Sequence, residues 1–332
     1  MNKSFDVLIT TKIPQHLYEK ISNCGLSCFF WDKEGPIPSD VIRKNIPGVK
    51  GVLCTLSDHL DSDLLSIAGS SLKTISTISV GFDHIDIDYL KQNKITLGYT
   101  PGILTEATAE TAISLLLATS RKLFEANAML KEGLWNSWQL FQFCGKQISH
   151  STVGIFGLGK IGKSIAVKVS AFKPRELFYT GSGRIKDDVF LAQYEDRTLI
   201  AKYLEKDDFI SNCDVIIVSC SLNKETEGYF NKSVFDRMKK NTIFVNVSRG
   251  KVVNQTDLIN VLNSGHLFGA GLDVMYPEPI PTNDELLTAK NCTLLPHIGS
   301  ATIETRTEMC EISVDNLLAG LEGRPLHSEY KL

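Results

Sequence analysis

Apolar residues come in short runs separated by stretches of helical spacing, and the alternation continues along almost the whole chain. N-terminal to Thr100 the runs are Val7-Leu8-Ile9, Cys28-Phe29-Phe30-Trp31, Gly51-Val52-Leu53-Cys54, Thr74-Ile75-Ser76-Thr77-Ile78 and Ile95-Thr96-Leu97. Each is too short for a helix and nearly continuous in apolar character, which predicts strands buried on both faces. Between them, Pro14 to Asn23 and Leu60 to Ala68 carry helical patterns. Strand–helix alternation of this kind predicts a parallel sheet covered on both sides.

Thr100-Pro101-Gly102 breaks the pattern, and Thr105 to Ser120 then reads as one long helix. Its segment Ala112 to Ala118 is apolar around most of its circumference, which predicts burial, in the fold or between subunits. A second α/β series begins at Thr152. Its strand candidates are Thr152 to Phe156, Leu177 to Tyr179, Val215 to Cys220, Ile243 to Val247, Gly269 to Val274 and Thr293 to Leu295. Gly265 stops the helix Thr256 to Ser264. The last helix, Glu304 to Leu321, aligns Met309, Ile312, Leu317 and Leu321 roughly on one face.

The chain has 332 residues, which is long for a single core and predicts two domains. Hydrophobic content of 43% and charged content of 22% suit a soluble globular protein. The net charge is −3 and no Lys/Arg run occurs, which argues against nucleic acid and anionic membranes as partners. The N-terminus lacks a signal-peptide core, and no apolar run is long enough to span a bilayer. Tyr330 before Lys331-Leu332 does not suit a peroxisomal address, so the cytoplasm is the expected compartment. The eight cysteines form no CxxC pair and read as buried free thiols rather than disulfides or a zinc site. No metal is expected.

The first candidate chemistry is the turn Gly157-Leu158-Gly159-Lys160-Ile161-Gly162. GxGxxG alone is weak, but here a strand pattern runs into it and a helical pattern with Ile161, Ile165 and Val169 on one side leaves it. In that context Gly157 allows the tight turn, Gly159 admits a pyrophosphate, and Gly162 lets helix and strand pack closely. The pyrophosphate then lies at the helix N-terminus. An NAD site usually places an acid about 20 residues beyond this turn. Here the stretch is Leu177-Phe178-Tyr179-Thr180-Gly181-Ser182-Gly183-Arg184, with a hydroxyl at Ser182 and a cation at Arg184 but no carboxylate. A guanidinium binds a 2′-phosphate that a carboxylate repels, so NADPH is the expected cofactor, with NADH as the alternate. A solvated loop arginine is the competing reading.

Three further residues follow apolar runs: Arg249, Glu278 and His297. Taken singly they read equally well as a surface ion pair, a solvated loop acid and an ordinary histidine. Together, at strand C-terminal ends downstream of the glycine turn, they make a coherent site. His297 gives a proton to a carbonyl oxygen, Glu278 accepts the other ring N–H and holds the ring, and Arg249 forks onto a carboxylate and keto oxygen. The end of an N-terminal strand, Ser79-Val80-Gly81-Phe82-Asp83, offers backbone N–H groups of Val80 and Gly81 to a carboxylate. Thr55-Leu56-Ser57-Asp58 has no cation, which predicts a small unphosphorylated 2-keto acid.

These residues together resemble the D-2-hydroxyacid dehydrogenase family over nearly the full chain. The most specific stretches are Ser79 to His84, Gly98-Tyr99-Thr100-Pro101, Thr108-Ala109-Glu110, Gly271-Leu272-Asp273-Val274 and Leu295 to Thr302. The likeness is strongest to members that reduce glyoxylate to glycolate and hydroxypyruvate to D-glycerate. It implies that Arg249, Glu278 and His297 are the catalytic trio, that Val80 and Gly81 bind the substrate carboxylate, and that Leu56 and Ser300 line the pocket. Asp273 would contact the nicotinamide carboxamide. Trp138 would enter the partner subunit's site, which implies a homodimer. The implied fold is two Rossmann/flavodoxin-like, doubly wound parallel-sheet domains with a cleft between them. Residues 1–103 and 298–332 would form the substrate-binding domain and residues 104–297 the NAD(P)-binding Rossmann domain. Close relatives place arginine directly after the glycine, whereas this chain has Ser182-Gly183 before Arg184. The alternatives are an NAD-dependent dehydrogenase of another D-2-hydroxy acid, such as D-lactate, and a non-catalytic nucleotide-sensing scaffold.

Overall fold

The apolar runs N-terminal to Thr100 do become strands of one parallel sheet. In the computed structural model, which describes residues 5–181, 189–193 and 198–332, the chain divides into two units. One is Met1–Leu104 with Ala301–Leu332, the other Thr105–Ser300. The first unit holds β1 (Val7–Ile9), β2 (Cys28–Phe30), β3 (Gly51–Cys54), β4 (Thr74–Thr77) and β5 (Thr96–Gly98). Their order is β2-β1-β3-β4-β5, all parallel, which is the flavodoxin-like winding. The pleat sends alternate residues to opposite faces. Leu8, Val52 and Cys54 pack with Ile42, Leu64, Leu65 and Leu90. Val7, Ile9 and Leu53 pack with Leu17, Ile21 and the C-terminal helix Ile303–Leu321.

That last helix buries Met309, Val314, Leu317 and Leu318, while Ile312 and Leu321 are only partly covered. The buried face is therefore rotated from the one read off the sequence. Asn316 on this helix is wholly buried. Its Nδ2 donates to the Tyr99 carbonyl (3.2 Å) and its Oδ1 accepts the Ser328 N–H (2.9 Å). These bonds bring Glu329–Tyr330 alongside β5 as an antiparallel edge strand, which no local pattern announces.

The second unit holds β6 (Thr152–Phe156), β7 (Glu176–Thr180), β8 (Val189–Gln193), β9 (Thr198–Tyr203), β10 (Val215–Val218), β11 (Ile243–Asn246), β12 (Gly269–Leu272) and β13 (Cys292–Leu294). The order is β13-β12-β11-β10-β6-β7-β9-β8, and β8 alone is antiparallel. Winding reverses at β6, so the crevice beside its C-terminal end is the topological switch point. Helix α1 (Thr105–Arg121) and helix α2 (Lys160–Ser170) cover one face. Ala112, Leu115 and Leu116 of α1 pack on Val153, Ile217 and Val245. Burial of α1 is thus satisfied inside its own unit. On the other face Phe244 meets Phe230 and Phe235 edge-on, with ring centroids 5.0 and 5.6 Å apart. Truncating so central an aromatic costs about 3–5 kcal/mol.

Two features escape the sequence pattern. The strands β8 and β9 pair antiparallel at the sheet edge, and Leu123–Lys131 is a helix with no buried residue. All eight cysteines are free, but only Cys54 and Cys213 are buried; Cys28, Cys220, Cys292 and Cys310 are half-buried, and Cys24 and Cys144 are exposed.

Candidate active site

Parallel strands align their C-terminal ends along one edge, and the candidate residues of the second unit leave that edge. Gly157 follows β6 directly with φ of +102°, the left-handed region that suits glycine. Its N–H donates to the Thr180 carbonyl (2.8 Å), and its own carbonyl accepts the Ser219 hydroxyl (2.8 Å). A Cβ on Gly162 would stand 2.1 Å from the Gly157 oxygen, so only glycine allows α2 to start this close to β6. A Cβ on Gly159 would meet nothing within 4 Å. The space above the turn is therefore open, and a side chain at Gly159 would fill it. Gly159 caps α2 without a side chain, and the first turn, with Lys160 and Ile161, carries no acid. Leu158 is half-buried against the α1–α2 face. Free amides, a positive helix end and an open cradle suit a pyrophosphate, so these residues fit a dinucleotide. β7 then ends at Thr180, followed by Gly181. Ser182 and Arg184 lie outside the described residues.

Arg249 comes three residues after β11 and is half-buried; its Nη1 donates to the Ser248 carbonyl (2.9 Å). Asp273 follows β12 and is 1% exposed. Its Oδ1 accepts the Ile298 N–H (2.7 Å), its Oδ2 the Gly299 N–H (2.8 Å), and its carbonyl the His297 N–H (2.8 Å). Burial raises the Asp273 carboxyl above the usual range, while those two amides and the nearby His297 oppose the rise. The three amides belong to a turn in which His297 has φ of +54°, an uncommon conformation for a side chain of its size. The Asp273 contacts hold it there.

Glu278 and His297 meet. Nδ1 of His297 lies 2.7 Å from Oε2 of Glu278, and their side chains are 22% and 27% exposed respectively. Oε1 of Glu278 accepts the Met275 N–H (2.9 Å). With a carboxylate as acceptor, Nδ1 carries the hydrogen and Nε2 is left for a reacting group. Ser300 ends this segment, half-buried.

In the first unit, Leu56 (36% exposed) follows β3 and Val80-Gly81 follow β4. Buried polar residues shape both loops. Oδ2 of Asp58 accepts the Thr10 hydroxyl (2.6 Å) and the Thr55 N–H (2.7 Å), and burial pushes its carboxyl pKa up. Ser79 Oγ donates to the Gly81 carbonyl (2.6 Å). Sequence reasoning passed over Asp58, Ser79 and Asn246 as positioning groups. An Asp four residues past a strand end, able to accept from the first N–H beyond the strand, is the signal that marks the first.

Trp138 is 73% exposed, in company with Trp135, Leu140 and Phe141 at 54%, 67% and 81%. Among the described residues, no three His, Cys, Asp or Glu side chains group as a metal site, and no helix is long and apolar enough to cross a membrane.

Residues 113–299 match the family model described as D-isomer specific 2-hydroxyacid dehydrogenase, NAD binding domain. That window takes in the glycine turn, Arg249, Glu278 and His297. The class is that of nicotinamide-dependent oxidoreductases. The glyoxylate reductase/hydroxypyruvate reductase of Homo sapiens is 45% identical over 329 residues, covering 98% of each chain. The solved TT0316 protein of Thermus thermophilus matches with a TM-score of 0.87 and 33% identity, over 98% of this chain and 99% of that one. The NADPH-dependent glyoxylate/hydroxypyruvate reductase of Sinorhizobium meliloti, solved with NADP and malonate, matches with a TM-score of 0.77 and 28% identity, over 98% and 96%. The chain belongs to the D-2-hydroxyacid dehydrogenase family.

Proposed function

We propose that the protein is an NADPH-preferring reductase that converts glyoxylate to glycolate and hydroxypyruvate to D-glycerate. The observation that carries this reading is the 2.7 Å His297–Glu278 pair, set on the sheet edge that also bears Arg249 and the glycine turn. When bound, the reduced nicotinamide supplies hydride to the keto carbon. Glu278 holds Nδ1 of His297, so Nε2 is the atom that protonates the keto oxygen as it gains charge. Arg249 orients the carboxylate and polarises the keto group through its planar fork. Asp273 keeps a second lone pair on each buried oxygen, enough to accept from the nicotinamide carboxamide while holding its two amides. Ser300 is assigned to the pocket wall. In the first unit, the N–H groups of Val80 and Gly81 are assigned to the substrate carboxylate and Leu56 to an apolar wall.

NADPH preference is supported by β7, which ends without the carboxylate that would favour an unphosphorylated ribose. Leu134, Trp135, Trp138, Leu140 and Phe141 are all exposed within one short segment, and clustered exposed apolar side chains mark interaction surfaces. The segment suits a homodimer in which Trp138 enters the partner's site. Eight free thiols suit a reducing compartment, for which the cytoplasm is our reading.

The test is oxidation of NADPH and NADH by the purified protein with each acid. Turnover of both acids that is faster with NADPH supports the reading. Turnover with NADH alone overturns the cofactor assignment. No turnover of either acid, with D-lactate oxidised instead, overturns the substrate assignment.

A further inference from the structure

The turn that carries Arg249 is held from two sides. At the end of β11, Asn246 is 1% exposed. Its Oδ1 accepts the Ser248 N–H (3.0 Å) and hydroxyl (2.8 Å), and its Nδ2 donates to the Arg249 carbonyl (3.0 Å). On the other side, Gly250 lies against the backbone of Met275. A Cβ at Gly250 would stand 2.0 Å from the Met275 oxygen and 2.1 Å from its carbonyl carbon. No side chain fits there. Gly250 is not among the residues with positive φ, so close approach, not conformational freedom, is what requires glycine.

Met275 joins this contact to the other half of the site. Its N–H donates to Oε1 of Glu278 (2.9 Å), and Oε2 of the same carboxylate holds His297. Met275 is 8% exposed and packed in the core, while Asn246 anchors the opposite end of the turn. Neither side yields to an added methyl without moving a reacting group.

We propose that Gly250 is a positioning residue for substrate specificity: its missing side chain sets the separation between Arg249 and the Glu278–His297 pair. A 2-keto acid presents its carboxylate and keto oxygen on adjacent carbons. The cation that grips the first and the proton donor to the second must therefore keep a matching separation. This inference rests on the roles given above to Arg249 and His297.

Gly250→Ala tests it, with Arg249→Ala in parallel. The readouts are KM and kcat for hydroxypyruvate, cofactor Kd from protein fluorescence, and Tm. A misplacement of about 1 Å in such a clamp costs about a hundredfold in rate. The expected result for Gly250→Ala is therefore kcat/KM lowered about a hundredfold, mainly through KM, with cofactor Kd unchanged. Values within twofold of the parent, while Arg249→Ala is impaired, overturn the proposal and leave the functional reading intact. If Arg249→Ala is itself unimpaired, the functional reading fails and the proposal with it. Should Gly250→Ala not fold, Asn246→Ala releases the same turn from its other side. A raised KM at unchanged cofactor Kd then supports the proposal, and parental kinetics overturn it.

Discussion

His297 and Glu278 lie on loops that leave neighbouring parallel strands, and the 2.7 Å contact between Nδ1 and Oε2 joins them. The histidine is held at both ends. Its ring is fixed by Glu278, and its left-handed backbone by the amide contacts to Asp273. A proton donor fixed in this way loses little on reorganisation when the keto oxygen becomes basic.

His297→Ala removes the proton donor and should lower kcat for hydroxypyruvate by about 10²–10⁴. Glu278→Gln keeps the volume but not the charge and should lower kcat less, with cofactor Kd unchanged. Steady-state kinetics at saturating cofactor decide this, and an unaltered kcat in His297→Ala removes the residue from the role.

Arg249→Lys keeps the charge and loses the planar fork. The expected outcome is a kcat/KM for both keto acids well below that of the parent, with the cofactor still bound. Recovery of full activity by lysine would mean that charge alone suffices and that the two-pronged grip is not used.

Trp138→Ala addresses the exposed apolar run. The expectation is a higher KM for hydroxypyruvate and a weaker dimer, read by kinetics and by sedimentation. Unchanged kinetics in an intact dimer would place Trp138 outside the pocket.

Asp6 gives a pH prediction for stability. Its hydrogen bond to Lys50 (2.8 Å), then those from the Ser27 N–H and hydroxyl (both 2.9 Å), hold its carboxyl down from 3.8 to about 2. A lowered acid contributes stability above its unfolded value, and that contribution is lost as pH falls through the folded value. The parent should therefore lose Tm between about pH 4 and about pH 2 more steeply than Asp6→Asn. Parallel curves for the two proteins would show that the cluster contributes nothing. The pair is solvent-screened, so the difference is small.

The strand pattern alone determined most of the fold. Strands such as β1, β3, β6, β10 and β11 are buried on both faces, so they appear as continuous apolar runs. The glycine turn was equally legible, because a tight turn and a close helix start admit few other residues. Where a segment leaves both faces uncovered, the pattern is silent. Helix Leu123–Lys131 has no fully buried residue, and Glu329–Tyr330 is brought to β5 by Asn316 and by the packing of Tyr330 on Phe82. Arg249, Glu278 and His297 were readable as chemical types at strand ends. Their assembly was decided by tertiary structure: that Glu278 reaches His297, that Asp273 holds its turn, and that Gly250 rests on Met275. Those contacts join residues far apart in sequence, and no local periodicity records which loop will face which once the sheet has closed its order.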